Sequence, residues 1–144
     1  MDFQECIKFA TENPVCYMAT TDGDQPRVRA LLMWFANQDG FYFGTFSPKQ
    51  FAKQLKKNPK VEVCFFNNAA DLADAKSMRV TGEIQWLSDE TLVNKIAQER
   101  GFLEQMSGMS LEGLWRVFRV YTGEAHFWTI PDVLKEPQLE RIQF

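Results

Sequence analysis

The chain has 144 residues, enough for one domain with a single core. Hydrophobic residues make up 45% and charged residues 24%, with a net charge of −3, so no overall field draws the molecule to nucleic acid and any cation cluster must act locally. No apolar run approaches the length of a membrane span, the start "MDFQECIKFATENP" lacks the pattern of a signal peptide, and Cys6, Cys16 and Cys64 form no CxxC pair, which together point to a cytoplasmic protein with reduced thiols.

"FQECIKFATENP" sets Phe3, Ile7 and Ala10 at helical spacing and stops at Asn13-Pro14. "VCYMATT" has strand character, and "DGDQP" is a turn. "RVRALLMWF" follows as one strand, apolar enough to be buried on both faces. "ANQDG" turns the chain, and "FYFGTF" returns antiparallel. Ser47-Pro48-Lys49-Gln50 carries the marks of a helix start: a serine cap, proline in the first turn and glutamine three residues after the cap. "KVEVCFFN" is the next strand. "SMRVTGEIQWL" is another, with Gly82 marking a bulge or a close approach. Ser88 is expected to cap a helix that runs to about Arg100, with Gly101 just past its end. "FLEQMSGMSLEG" has no clear pattern. "LWRVFRVYTGEAHFWT" forms one long bent strand or two, breaking near Gly123, and the tail is coil with a short helix. About six strands joined mostly by hairpin-length turns, with short helices between them, predict a mainly β, α+β fold built on a small antiparallel barrel.

Cations and hydroxyls gather around the second and third strands. Arg27 and Arg29 share a strand face, because side chains alternate. Gly44 removes a side chain from the partner strand, leaving room for something flat against the backbone. Thr45, Ser47, Lys49 and the free N–H groups of a helix start follow at once, and such a start attracts phosphate. Together they fit a phosphorylated aromatic cofactor. The plainer alternative is a serine cap, solvated lysines and arginines that flank a strand end.

Other chemistry is poorly supported. The single His126 would have to carry any Ser-His-Asp or histidine-based metal site alone. Asp71 and Asp74 lack metal-ligand spacing, so no metal is expected. Cys16 and Cys64 lie in apolar strands, as inert buried thiols do. The run "KQLKKNPK" sits in an acidic chain, which favours phosphate or a solvated face over nucleic acid.

"DGDQPRVRALLMWF", "DGFYFGTFSPKQFAKQL" and "KKNPKVEVCFF" resemble the pyridoxamine 5′-phosphate oxidase-like flavoproteins, the FMN-binding split β-barrels, and among them the branch of nitroimidazole-resistance reductases and uncharacterised flavin proteins. The resemblance implies a six-stranded antiparallel split β-barrel with peripheral short helices, non-covalent FMN, and reduction of a small molecule by a nicotinamide donor. It implies that Arg29, with Arg27, and Thr45, Ser47, Lys49 and Gln50 hold the flavin phosphate. By the same resemblance the ring lies against the backbone of Arg29, Ala30, Leu31 and Leu32, faced by Phe43 and Gly44. Arg79 and Trp128 match groups that often come from a second subunit, so a homodimer with flavin at its boundary is expected. Trp34, Phe35, Phe127 and Trp128 are the apolar candidates for that boundary. Relatives of this family replace FMN with deazaflavin or haem, and a flavin-binding sensor without turnover is a further alternative. Two departures count against pyridoxamine phosphate oxidation: Trp34 stands where the oxidases carry a basic residue, and "PDVLKEPQLERIQF" lacks their Arg-x-His element. No residue marks itself as catalytic.

Overall fold

A computed structural model describes all 144 residues. Helix α1 (Phe3–Glu12) opens on a reciprocal cap: the Asp2 carboxylate accepts from the Glu5 N–H (3.1 Å) and the Glu5 carboxylate accepts from the Asp2 N–H (2.9 Å). Its Cys6, Ile7 and Ala10 face the core, as their spacing requires.

Strands β1 (Val15–Asp22) and β2 (Gln25–Leu32) form a hairpin whose tight turn, Gly23-Asp24, needs the positive φ of Gly23 (64°). β3 (Phe35–Asn37) and β4 (Gly40–Phe46) form a second hairpin. Helix α2 (Gln50–Lys57) leads to β5 (Lys60–Phe66), β6 (Lys76–Leu87), α3 (Glu90–Glu99), α4 (Phe102–Ser107), β7 (Trp115–Thr129) and β8 (Ile142–Gln143). All pairings are antiparallel. The strand order is β2-β1-β5-β6-β7-β4-β3, with β8 on the edge of β7, so β2 and β4 are not paired with each other.

The architecture is the expected antiparallel barrel with peripheral helices, with eight strands in place of six: β3 and the terminal β8 are the short additions. A core of 20 buried residues fills it. Phe41, Phe43, Phe65 and Phe118 lie at its centre, Phe43 stacked on Phe118 with centroids 5.4 Å apart. Each such ring contributes about 1.5–3 kcal/mol relative to exposure. The β6–β7 pair bends sharply where Gly82 faces Gly123. A Cβ at Gly82 would sit 2.5 Å from the Thr122 carbonyl oxygen, and the register slips between Glu83 and Ile84 to leave Tyr121 as the extra residue. Gly82 is thus both bulge neighbour and close approach, and β7 is one strand.

Several local expectations are corrected. "RVRALLMWF" is not one strand: it ends at Leu32 and resumes as β3, and it is largely exposed, because β2 is an edge with no covering layer in the monomer. Ser47 does not cap α2. Lys49 is the N-cap residue, in extended conformation and without a side-chain cap bond, so the Ser47-Pro48 pair lies in the turn before the helix. Asp89, not Ser88, caps α3, accepting from the Thr91 N–H at 2.8 Å. The patternless "FLEQMS" is helix α4.

Candidate functional site

The β1–β2 register pairs Met18 with Arg29 and Thr20 with Arg27, so the odd-numbered residues of β2 share the inner face with the buried even-numbered residues of β1. From that face Arg29 reaches the barrel end. Its guanidinium donates to the Thr20 hydroxyl (2.8 Å), the Met18 carbonyl (3.1 Å) and Gln54 Oε1 (2.7 Å), and lies over the Phe51 ring at 4.5 Å. The Thr20 hydroxyl also donates to Gln54 Oε1, at 2.7 Å. Every acceptor is neutral. Burial, then Arg27, lowers the pKa of Arg29, and burial, then Arg29, lowers that of Lys49. The two cations therefore share one field with no carboxylate between them. A charge held in place by neutral groups and left without a counterion is the electrostatic signature of an anion site.

The other expected residues divide. Arg27 turns to the hairpin and forms a half-exposed ion pair with Asp22 (3.3 Å). Ala30 and Leu32 point outward and Leu31 inward toward the core. Gln50 opens α2 beside Lys49 and lines a polar groove with Gln54. Ser47 is held through its N–H to the Leu114 carbonyl (2.9 Å). Thr45 is 2% exposed and its hydroxyl has no partner, an orphan sealed at the end of β4. Phe43 lies in the core and presents no ring to a ligand.

Gly44 does not leave an open space. A Cβ there would lie 2.2 Å from Ile96 Cδ1 and 3.1 Å from Trp115 Cζ3, so α3 fills the gap that the missing side chain creates. Arg79 pairs with Glu136 of the same chain at 2.9 Å. Arg79 and Trp128 stand on the outer face, Arg79 in the row Ala30–Tyr17–Cys64–Arg79–His126 and Trp128 two residues from His126 in the row Phe66–Ser77–Trp128, opposite the face that carries Arg29. One subunit does not bring them together with Arg29. Phe127, expected at an interface, is a core residue packed edge-on to Phe9.

Thr20, Phe51 and Gln54 were missed in the sequence. The signal for Gln54 is its place on the apolar face of α2, between Phe51, Ala52 and Leu55, where a polar side chain needs a partner. Arg100 was missed too: it donates to the Leu32 carbonyl (3.1 Å), fastening the end of α3 to the end of β2. His126 is buried beneath the tail, 4.0 Å from Glu136, and burial, then Arg141 and Arg79, lowers its pKa. Burial raises the thiols as well, Cys16 to about 12 and Cys6 to about 11, so neither is a nucleophile. Asp71 caps the short turn Leu72–Asp74. A concavity of about 700 Å³ lies where the end of β6 and the start of β7 meet α3, against Trp86, Trp115 and Arg116 with Lys56 of α2, and none of the expected site residues lines it.

An antiparallel barrel whose sheet is left open between its edge strands β2 and β3, with Arg29 and Lys49 where the second strand meets the helix after the fourth, is a split β-barrel. A sequence model of the pyridoxamine 5′-phosphate oxidase family matches residues 3–128, and the chain belongs to that family. It is 34% identical over 83 residues to the pyridoxine/pyridoxamine 5′-phosphate oxidase of Pelagibacter ubique; the match covers 57% of this chain and 36% of that protein, so it spans little more than a third of the relative's length. Among solved structures, a NimC/NimA family protein from Clostridium acetobutylicum superposes with a TM-score of 0.75 at 25% identity, covering 98% of this chain and 92% of that one. An FAD-binding protein from Mesorhizobium loti gives 0.66 at 21% identity, over 88% and 94%.

Proposed function

We propose that the chain binds FMN non-covalently and acts as an oxidoreductase on a small molecule, with a nicotinamide electron donor. The observation that carries the reading is the Arg29–Lys49 pair, two cations without a carboxylate, held by Thr20, Gln54 and Phe51 in a member of a flavin-associated family. In this reading Arg29 and Lys49 grip the flavin phosphate, Ser47 and Gln50 lie within the same turn, and the backbone from Arg29 to Leu32 is the rail for the ring. The FMN would supply the hydride chemistry; the protein supplies position and charge. Phe43, Gly44 and Arg27 drop out of the contact set, because each is already engaged elsewhere.

In this reading pyridoxamine phosphate oxidation is disfavoured as the reaction. Trp34 donates its indole N–H to Glu99, so the position where the oxidases carry a cation is an aromatic ring bound to a carboxylate.

The working unit in this reading is a homodimer with flavin at the subunit boundary. The outer face of the β1–β2 hairpin supports it: Val15, Tyr17, Val28 and Leu32 share that face with Ala19 and Ala30, and Val28 is 70% exposed. A contiguous apolar stripe of this kind belongs at an interface. Arg79 and Trp128 stand on the same face, where a second subunit's flavin would meet them.

The test is the absorption spectrum of the purified protein together with paired FMN and riboflavin titrations. A flavin spectrum and tighter binding of FMN than of riboflavin are expected, since riboflavin leaves Arg29 and Lys49 without their charge-assisted bonds. Haem or deazaflavin absorption, or equal affinity for the two flavins, would reject the FMN assignment. A sensor without turnover is the second reading, favoured by the absence of any unpaired acid beside Arg29, and it predicts no steady-state oxidation of NADH or NADPH.

A further inference from the structure

We infer that the groove along α2 takes phosphate charge beyond the single group held at Arg29 and Lys49, supplied by the diphosphate of an adenine dinucleotide; this rests on the flavin reading above. The groove has a volume of about 610 Å³ and is lined by α2 and the residues after it (Gln50, Lys53, Gln54, Lys56, Lys57, Asn58) on one side and the hairpin Thr21–Gly23 on the other, with no hydrophobic residue in its wall. The Asn58 amide donates to the Thr21 hydroxyl (2.9 Å) and closes one end. At the other end Gln54, one of its wall residues, accepts from Arg29, so the groove adjoins the Arg29 cluster across that side chain.

Its charge is one-sided. Lys53, Lys56 and Lys57 face one acid, Asp22, and that carboxylate is taken by Arg27. None of the lysines from 49 to 57 has a carboxylate at ion-pair distance. A solvated face of an amphipathic helix would account for lysines on a convex surface. Here they line a concavity, in a chain whose net charge is −3. From Lys49 to Lys57 the helix rises about 12 Å, at 1.5 Å per residue, room for phosphates beyond the first. No aromatic ring stands in its wall, which the lysine stems and their ammonium groups supply, so the groove offers phosphate its charge and a base no stacking partner.

A diphosphate can reach it from two sources: as part of FAD, or as part of the nicotinamide donor bound beside FMN. Two titrations with the full chain distinguish them, each repeated with the Lys53→Gln/Lys57→Gln variant. In the first, apo protein is titrated with FMN and with FAD; in the second, FMN-saturated protein is titrated with ADP-ribose. FAD bound about tenfold more tightly than FMN, with the advantage lost in the variant, places the diphosphate in the cofactor. Saturable ADP-ribose binding that the variant weakens about fivefold to tenfold places it in the donor. FMN bound by both proteins, with no FAD advantage and no ADP-ribose binding, or with either effect unchanged in the variant, overturns the inference and leaves the flavin reading standing. Failure of FMN itself to bind removes both.

Discussion

Replacing Arg29 with alanine separates the phosphate grip from the stability of the barrel. The side chain donates to Thr20, Met18 and Gln54, but Thr20 also donates to Gln54, so truncation strips the partner from the Met18 carbonyl and leaves the Thr20–Gln54 bond in place. Against that loss stands relief of a partly desolvated charge that Arg27 also opposes. The terms oppose each other, and the expected cost to the apo protein is about 1 kcal/mol or less, a melting shift of about 2–4 °C at this size. The phosphate feels only the loss. A charge-assisted hydrogen bond of about 1.5–3 kcal/mol weakens FMN about 10- to 150-fold. Riboflavin, without the phosphate, should bind wild type and variant about equally. Quenching of flavin fluorescence measures both affinities and thermal melts supply the stability. A variant that loses FMN and riboflavin in equal proportion, or neither, would show that the phosphate does not sit at Arg29.

Gly44→Ala should cost about 1–3 kcal/mol in urea unfolding, from overpacking against Ile96 and Trp115, while FMN affinity of the folded protein holds; unchanged stability with lost affinity would return the gap to a ligand. Val28→Asp should convert a dimer to a monomer by light scattering, and a wild type that is monomeric while FMN-loaded refutes the interface. His126 titrates below its usual 6.5 in the folded protein, because burial first, then Arg141 and Arg79, oppose its protonation, against Glu136 and Glu124, which favour it. The unfolded chain therefore binds the extra proton first, and the contribution is whole above about pH 6.5 and is lost as pH falls from there toward the folded value. His126→Asn should flatten that slope between pH 7.5 and 5.5, and an unaltered slope would place the titration elsewhere.

The alternation in β1 and β5, the α1 spacing and the Gly82 close approach were legible because each is a local pattern read by one layer of neighbours. β2 was misread for a physical reason. Apolar residues on both faces of a strand specify burial without specifying by what, and on its outer face the monomer supplies nothing. The cation cluster was visible, yet its scaffold was not. Gln54 meets Arg29 from 25 residues away through a neutral side chain, and Ile96 reaches Gly44 from a helix four elements further on, so neither leaves a trace in local composition. Asp89 took the cap from Ser88 because both residues suit the role and the backbone geometry selects between them.

The position of β4 in the sheet has a consequence for the order in which the molecule is made. Its partners besides β3 are Trp115 to Val120, roughly 70–80 residues further along the chain. Arg29, Thr20, Phe51 and Gln54 are all synthesised early and lie close together in sequence, but the strand that leads into Lys49 and α2 stays an unpaired edge until β7 has left the ribosome. Closing so long a loop is slow and leaves apolar edges uncovered meanwhile. A nascent chain halted before residue 115 should therefore be protease-sensitive around β4 and unable to retain flavin, and release of β7 should restore both protection and colour together.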